Sequence, residues 1–211
     1  ETSKVSPQWI GSAQVMDTIL VVSNHAKQVY EATTYQVQNE QTGEVIPQFR
    51  CETPIKVTNY PVRTYEPQPM DIDFSTDFNF LAVAQWGIRK NMNNTVKWFI
   101  EEFHDEEVGM VLKTNLANDS TKDHHFTREK LKSEILSHYP DRKCKIYLLH
   151  GTLEDTEMTW LYQHTKIKAL ASLTHGEGFG LPLFEAAYNG LPIICPLWSG
   201  QTDFLFVKNK K

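Results

Sequence analysis

The chain has 211 residues, with 21 Lys plus Arg against 26 Asp plus Glu, a net charge of −5, and 40% apolar residues. That composition provides for a core and excludes long disorder, and its sign argues against a nucleic-acid groove or an anionic-membrane binder. The longest apolar runs, residues 19–22 and the Pro-interrupted 191–198, fall far short of the ~20 residues that cross a bilayer, so no transmembrane segment is expected.

In chain order, Asp17 to Val22 (DTILVV) reads as a buried strand, and Ser23 as the cap of a helix through Ala26, Val29 and Tyr30. A polar stretch follows, then a short strand at Ile55 to Thr58. Tyr65 to Asp77 is Pro- and Asp-rich and reads as a linker. One strand, one helix and a spare strand bury little core. Residues 1–65 are therefore expected to be the tail of a preceding domain, 66–77 a linker, and 78–211 a second, C-terminally incomplete domain. The chain starts with Glu1 and stops after a strand-like segment, which gives the same expectation of a piece of a longer protein.

From Phe78 onward, short apolar runs alternate with amphipathic stretches. Strands are expected at 78–84, 108–113, 145–149, 168–173 and 192–195. Helices are expected at 94–104, 127–139, after a cap at Asp155 or Thr156, and at 181–189. Val96, Phe99, Ile100 and Phe103 form the clearest helical stripe, so Trp98, Phe99 and Phe103 read as helix packing rather than a sugar platform. His124 and His125 fall in a polar connection and read as surface residues; His175 has no assigned role. Five strands alternating with helices imply an α/β domain with a parallel, Rossmann-like sheet covered on both faces. Ligands bind such sheets beyond the carboxyl ends of the strands, here at 85–91, 113–115, 150–153, 174–180 and 196–202.

Cys51, Cys144 and Cys195 are odd in number and lack a CxxC pair, which reads as reduced thiols in a cytoplasmic setting with no zinc site. The sequons at Asn93 and Asn118 carry little weight there.

The chemistry sits in THGEGFGLPLFEAAYNG, Thr174 to Gly190, after an expected strand and at the start of an expected helix. Gly176, Gly178 and Gly180 permit positive φ and close backbone approach, Pro182 suits the first helical turn, and Gly190 suits the position past the helix end. Free amides at such a helix start make an anion site. The spacing is GxGxG with no GK[ST], so neither the dinucleotide fingerprint nor a Walker loop is present. Glu177 inside the loop repels bare phosphate and is matched instead to sugar hydroxyls; Glu185 in the early helix is placed to accept from a ribose diol. The plain alternative for Glu185 is compensation of the helix dipole, and for Arg89 and Lys90 solvated charge before a helix.

The stretch HGEGFGLPLFEAAYNGLPIICPLWSG resembles the E-x7-E signature of retaining "group 1" glycosyltransferases of the GT-B architecture. The resemblance implies Glu177 at the reaction centre as the catalytic carboxylate, Glu185 on the ribose, and the amides of Gly178, Phe179, Gly180 and Leu181 on the donor phosphates. FLAVAQWGIRKN is similar to the family's first strand and basic loop, which implies that Lys90, with Arg89 beside it, binds the diphosphate. Gln85 stands where the family carries Arg. Weaker matches are VLKT at 111–114, HGTL at 150–153 near where the family holds the base, and the loop around 199–203. The implied substrate is a nucleoside diphosphate sugar of UDP or GDP type, with no cofactor, no metal and an unidentified hydroxyl acceptor. A nucleotide-sugar epimerase on the same fold and a non-catalytic binding module stay open as alternatives.

Overall fold

The computed structural model describes residues 2–38 and 43–206 and falls into two compact units. Among the described residues, the first joins those up to 61 to the later stretches 176–180 and 197–206; the second holds residues 62–175 and 181–196.

In the first unit, α1 (Pro7–Ala13) begins on a proline, whose missing amide hydrogen costs nothing at that position. It is followed by β1 (Ile19–Val21), α2 (Asn24–Ala32), β2 (Thr34–Gln38), β3 (Val45–Arg50) and β4 (Ile55–Val57). The Ser23 hydroxyl accepts from the Ala26 amide at 3.1 Å, the expected cap of α2. β1 pairs in parallel with β4, and β2 pairs antiparallel with β3 around a register shift between Tyr35 and Val37. The stretch read only as polar thus holds the antiparallel pair β2 and β3, and α1 adds a further element. Exposed side chains alternating along β2 give the hairpin no buried face to announce it. Ile10, Ala13, Val21 and Ile55 form the buried apolar set from these elements, joined by Val5 ahead of α1.

The second unit runs β5 (Asn79–Val83), α3 (Met92–Glu102), β6 (Gly109–Lys113), α4 (Thr121–Glu134), a 3-10 turn at Leu136–His138, β7 (Lys145–Leu149), α5 (Asp155–Gln163), β8 (Ile167–Ala171), α6 (Leu181–Tyr188) and β9 (Ile193–Ile194). The strands form one parallel sheet in the order β7-β6-β5-β8-β9. The three central strands are nearly continuous apolar runs because helices cover both their faces. Leu81, Val111, Leu112 and Leu170 there, with Val96 and Ile100 of α3 and Leu161 of α5, are at most 1% exposed. At the start of β6, a Cβ on Gly109 would meet the Asn79 side-chain oxygen, so only glycine leaves room for the buried Thr76–Asn79 hydrogen bonds.

Three expectations need correction here. α4 starts at Thr121 rather than Thr127, because the Ser120 hydroxyl accepts from the Asp123 amide at 3.2 Å and a cap replaces the missing apolar stripe. His124 and His125 therefore lie on a helix, not in a connection. The cap of α5 is Glu154, which with Glu157 forms a reciprocal box, rather than Asp155 or Thr156. The Phe80, Phe99 and Phe103 rings pack together at centroid distances of 5.2–5.9 Å, whereas Trp98 is 49% exposed and takes no part in the core.

The chain steps from β5 through β6 to β7 on one side, then returns to place β8 and β9 on the other. The connections leaving β5 and β8 diverge, which opens a crevice at the carboxyl ends of the strands.

Candidate functional site

That crevice is a cavity of about 460 Å³, a volume typical of small-molecule sites. Its wall is built from the ends of β5 (Val83 to Gln85), β6 (Lys113 to Asn115) and β7 (Gly151 to Leu153), with Lys90 from the loop after β5, Asp155 from α5, and Pro182 and Glu185 from α6.

The sheet ladder continues past its last residues. The Ala84 and Trp86 amides donate to the carbonyls of Lys113 and Asn115 at 3.2 and 2.7 Å, and the Thr114 amide donates to Leu149 at 3.2 Å. The basic loop that follows is pinned at both ends. Asn91 adopts a left-handed conformation (φ 54°), and its side-chain amide donates to the Leu173 carbonyl at 3.1 Å. The Arg89 carbonyl accepts from the His175 amide at 2.9 Å and the Thr174 hydroxyl at 3.2 Å. Lys90 is thereby presented to the cavity on a fixed backbone, while the Arg89 side chain is exposed and outside the lining.

Glu185 lines the same cavity, one turn into α6. The Tyr162 hydroxyl of α5 donates to its Oε2 at 2.9 Å. Burial pushes the Glu185 carboxyl up, the Tyr162 hydrogen bond pulls it back, and the Asp155 charge pushes it up again. Burial and then the Glu185 charge hold the Tyr162 phenol well above its usual range, so it stays a donor. One oxygen of Glu185 is thus fixed, which orients the other as an acceptor. Helix-dipole compensation alone requires no such partner.

The loop 176–180 belongs to the first unit. Glu177 is 6% exposed, and its main chain is held by the turn at 199–201: its amide donates to the Ser199 hydroxyl at 2.9 Å, and its carbonyl accepts from the Gly200 amide at 2.9 Å. Ser199 itself is left-handed (φ 69°), and its hydroxyl donates to Gln201 at 2.8 Å. A Cβ on Gly200 would fall 2.1 Å from the Gly178 carbonyl oxygen, so that contact requires glycine. Phe179 packs against Tyr60 and Phe204 at 5.4 and 4.9 Å. Of the three loop glycines, Gly180 (φ 97°) uses a positive φ, and Gly178 makes the close backbone approach to Gly200. Helix α6 begins at Leu181 with Pro182 in its first turn, and Gly190 (φ 77°) follows its end, as expected.

Several residues in and behind the cavity fall in the weaker matches or carry no role in the sequence. Lys113, the last residue of β6, donates from Nζ to the Gly151 carbonyl, and burial lowers its ammonium. Gln85 turns its amide to the Leu116 carbonyl at 3.0 Å. Behind the wall, Asp123 accepts from the Leu116 and Ala117 amides, each at 3.0 Å, and lies 2.9 Å from Nε2 of His150. This pair ties the connection after β6 to the end of β7. A cation at a strand end was the available signal for Lys113; the others depend on contacts distant in sequence.

The His150 hydrogen bond, helped by the two amides and opposed by burial, holds the Asp123 carboxyl below its usual range. A depressed folded value stabilises the fold above the unfolded carboxylate pKa of about 4, and that stability is lost as pH falls through the folded value. Asp123→Asn is expected to be less stable than the parent at pH 7 and to lose less on acidification below about pH 4, read by urea melts across pH. Identical acid limbs in the two proteins would rule this out.

No protein-family model matches the chain. Among curated proteins, the serotype-specific mannosyltransferase WbdA of Escherichia coli is 41% identical over 61 residues, 29% of this chain and 7% of that protein. Among solved structures, HepE of Anabaena in complex with UDP and glucose superposes with a TM-score of 0.64 at 13% identity, over 96% of this chain and 52% of its own. The pneumococcal O-GlcNAc transferase GtfA in complex with UDP and GlcNAc gives 0.55 at 18% identity, over 96% and 34%. The trehalose-6-phosphate synthase OtsA gives 0.58 at 10% identity, over 95% and 52%. The chain spans a small part of the curated relative and a third to a half of these structures. With a five-stranded parallel sheet, its crevice at the strand ends and these neighbours, the chain has the Rossmann-like fold of the GT-B glycosyltransferases.

Proposed function

We propose that the chain is the donor-binding part of a retaining glycosyltransferase that moves a sugar from a nucleoside diphosphate sugar, of UDP or GDP type, to a hydroxyl acceptor. The observation that carries this reading is the cavity at the strand ends, whose lining holds both Lys90 and the Tyr162-oriented Glu185. A nucleoside diphosphate has that polarity: anionic phosphates beside a ribose diol.

Lys90 and the amides of Gly178, Phe179, Gly180 and Leu181 would neutralise the diphosphate as charge grows on it in the transition state. Fixed positive groups of this kind usually supply the largest part of catalysis. Glu185 accepts from the ribose hydroxyls. Glu177 lies eight residues earlier, on a loop whose backbone is pinned by Ser199 and Gly200, and serves as the carboxylate that supports positive charge at the anomeric carbon. The leaving diphosphate and the attacking hydroxyl share one face of the sugar, which gives retention of configuration. The presence of UDP and a sugar in two neighbours of this fold supports the donor class.

The test is a calorimetric titration of the folded chain with UDP and with GDP. One of the two is expected to saturate at one site per chain. A folded sample that binds neither overturns the proposal. Anomeric NMR of the product made by the full-length protein reports retention directly.

A further inference from the structure

Thr114 has an unusual place in the cavity wall. It is 3% exposed, and its hydroxyl oxygen has no hydrogen-bond partner among the described residues. Leaving such a group unsatisfied costs free energy, and buried hydroxyls are ordinarily paired. Its neighbour Lys113 lines the same cavity, and no carboxylate pairs with its ammonium among the described residues. Burial alone lowers that ammonium, the signature of a cation lacking a counter-charge. A half-buried cation and an unpaired hydroxyl thus stand side by side at the end of one strand.

The sheet explains why they sit together. Lys113 pairs in register with Val83 of β5 and Leu149 of β7, so it ends a central strand at the floor of the crevice. Lys90 and Lys113 are the two cations among the residues lining the cavity, while its acids, Asp155 and Glu185, come from helices. Gln85, also in the lining, directs its amide donor to Leu116. A diphosphate carries more negative charge than one ammonium balances.

We propose that Lys113 and Thr114 form a phosphate subsite of the cavity, in which the Lys113 ammonium and the Thr114 hydroxyl donate to oxygens of the diphosphate that Lys90 also holds. Lys113 keeps its Gly151 contact with one of its three N–H groups and offers the others to the ligand. This inference rests on the nucleotide-sugar reading of the cavity and adds to it the residues that grip the phosphates in this chain.

The experiment uses the whole chain and three variants, Lys113→Met, Lys113→Arg and Thr114→Val, titrated with UDP and GDP and, by competition, with uridine and guanosine. Lys113→Met is expected to weaken the bound diphosphate at least about tenfold, in line with loss of a charge-assisted contact. Thr114→Val is expected to weaken it about three- to tenfold, and Lys113→Arg to stay within about threefold of the parent. Affinity for the matching nucleoside should move less than about twofold in all three. Thr114→Val should also melt at or above the parent temperature without ligand, because it removes an unpaired polar atom, whereas a structural hydroxyl would lower it.

Equal losses for nucleoside and diphosphate would overturn the proposal and reduce Lys113 to a prop for the Gly151 loop. So would unchanged diphosphate affinity in Thr114→Val, which decides the matter if Lys113→Met does not fold. A parent chain that binds neither UDP nor GDP removes the underlying reading itself, an outcome distinct from variants that match a binding parent.

Discussion

Exchange of Glu177 for alanine in the full-length protein is expected to lower sugar transfer by about 100-fold or more, equivalent to roughly 3 kcal/mol of transition-state stabilisation, with nucleotide affinity kept within about threefold. Glu177 is 6% exposed, and its backbone is clamped on both sides by the left-handed Ser199 turn. Glu177→Gln separates charge from shape. If the carboxylate supports a developing positive centre, the amide loses nearly as much rate as alanine; if it only fills space, glutamine restores the rate. Transfer by Glu177→Ala at the parent rate would end the catalytic assignment.

The second large effect is expected at Lys90. Lys90→Met should weaken UDP or GDP, whichever the chain binds, by about 10- to 100-fold, the range for loss of a charge-assisted hydrogen bond to phosphate. The loop carrying it is preorganised by Asn91 in its left-handed turn and by the Arg89 carbonyl, so little ordering cost opposes binding. Arg89 offers a contrast. Its backbone holds the loop, but its side chain is exposed and outside the cavity lining, so Arg89→Met should cost less than about threefold. Equal losses at the two positions would place the phosphates outside the cavity.

The parallel sheet was legible because its central strands are buried on both faces and read as apolar runs, while α3 displays a full helical stripe. The start of α6 was equally legible, since Gly180, Pro182 and Gly190 each act through local backbone geometry. The start of α4 is hidden from the sequence because its amino half is held by a cap and by Asp123, not by apolar periodicity. Pro47 and exposed side chains concealed β3 and its hairpin. Lys90 and Glu185 of the cavity, and Glu177 of the loop before α6, lie in recognisable motifs. Tyr162, Lys113, Thr114 and the Asp123–His150 pair acquire meaning through partners or openings that a linear reading does not supply.

The most direct measurement is a crystal structure of the chain grown with the nucleoside diphosphate it binds best. Phosphate density beside Nζ of Lys90, with ribose hydroxyls within hydrogen-bond distance of the Glu185 carboxylate, is the expected result. A nucleotide lodged elsewhere, with Lys90 and Glu185 both untouched, would contradict the donor-site assignment.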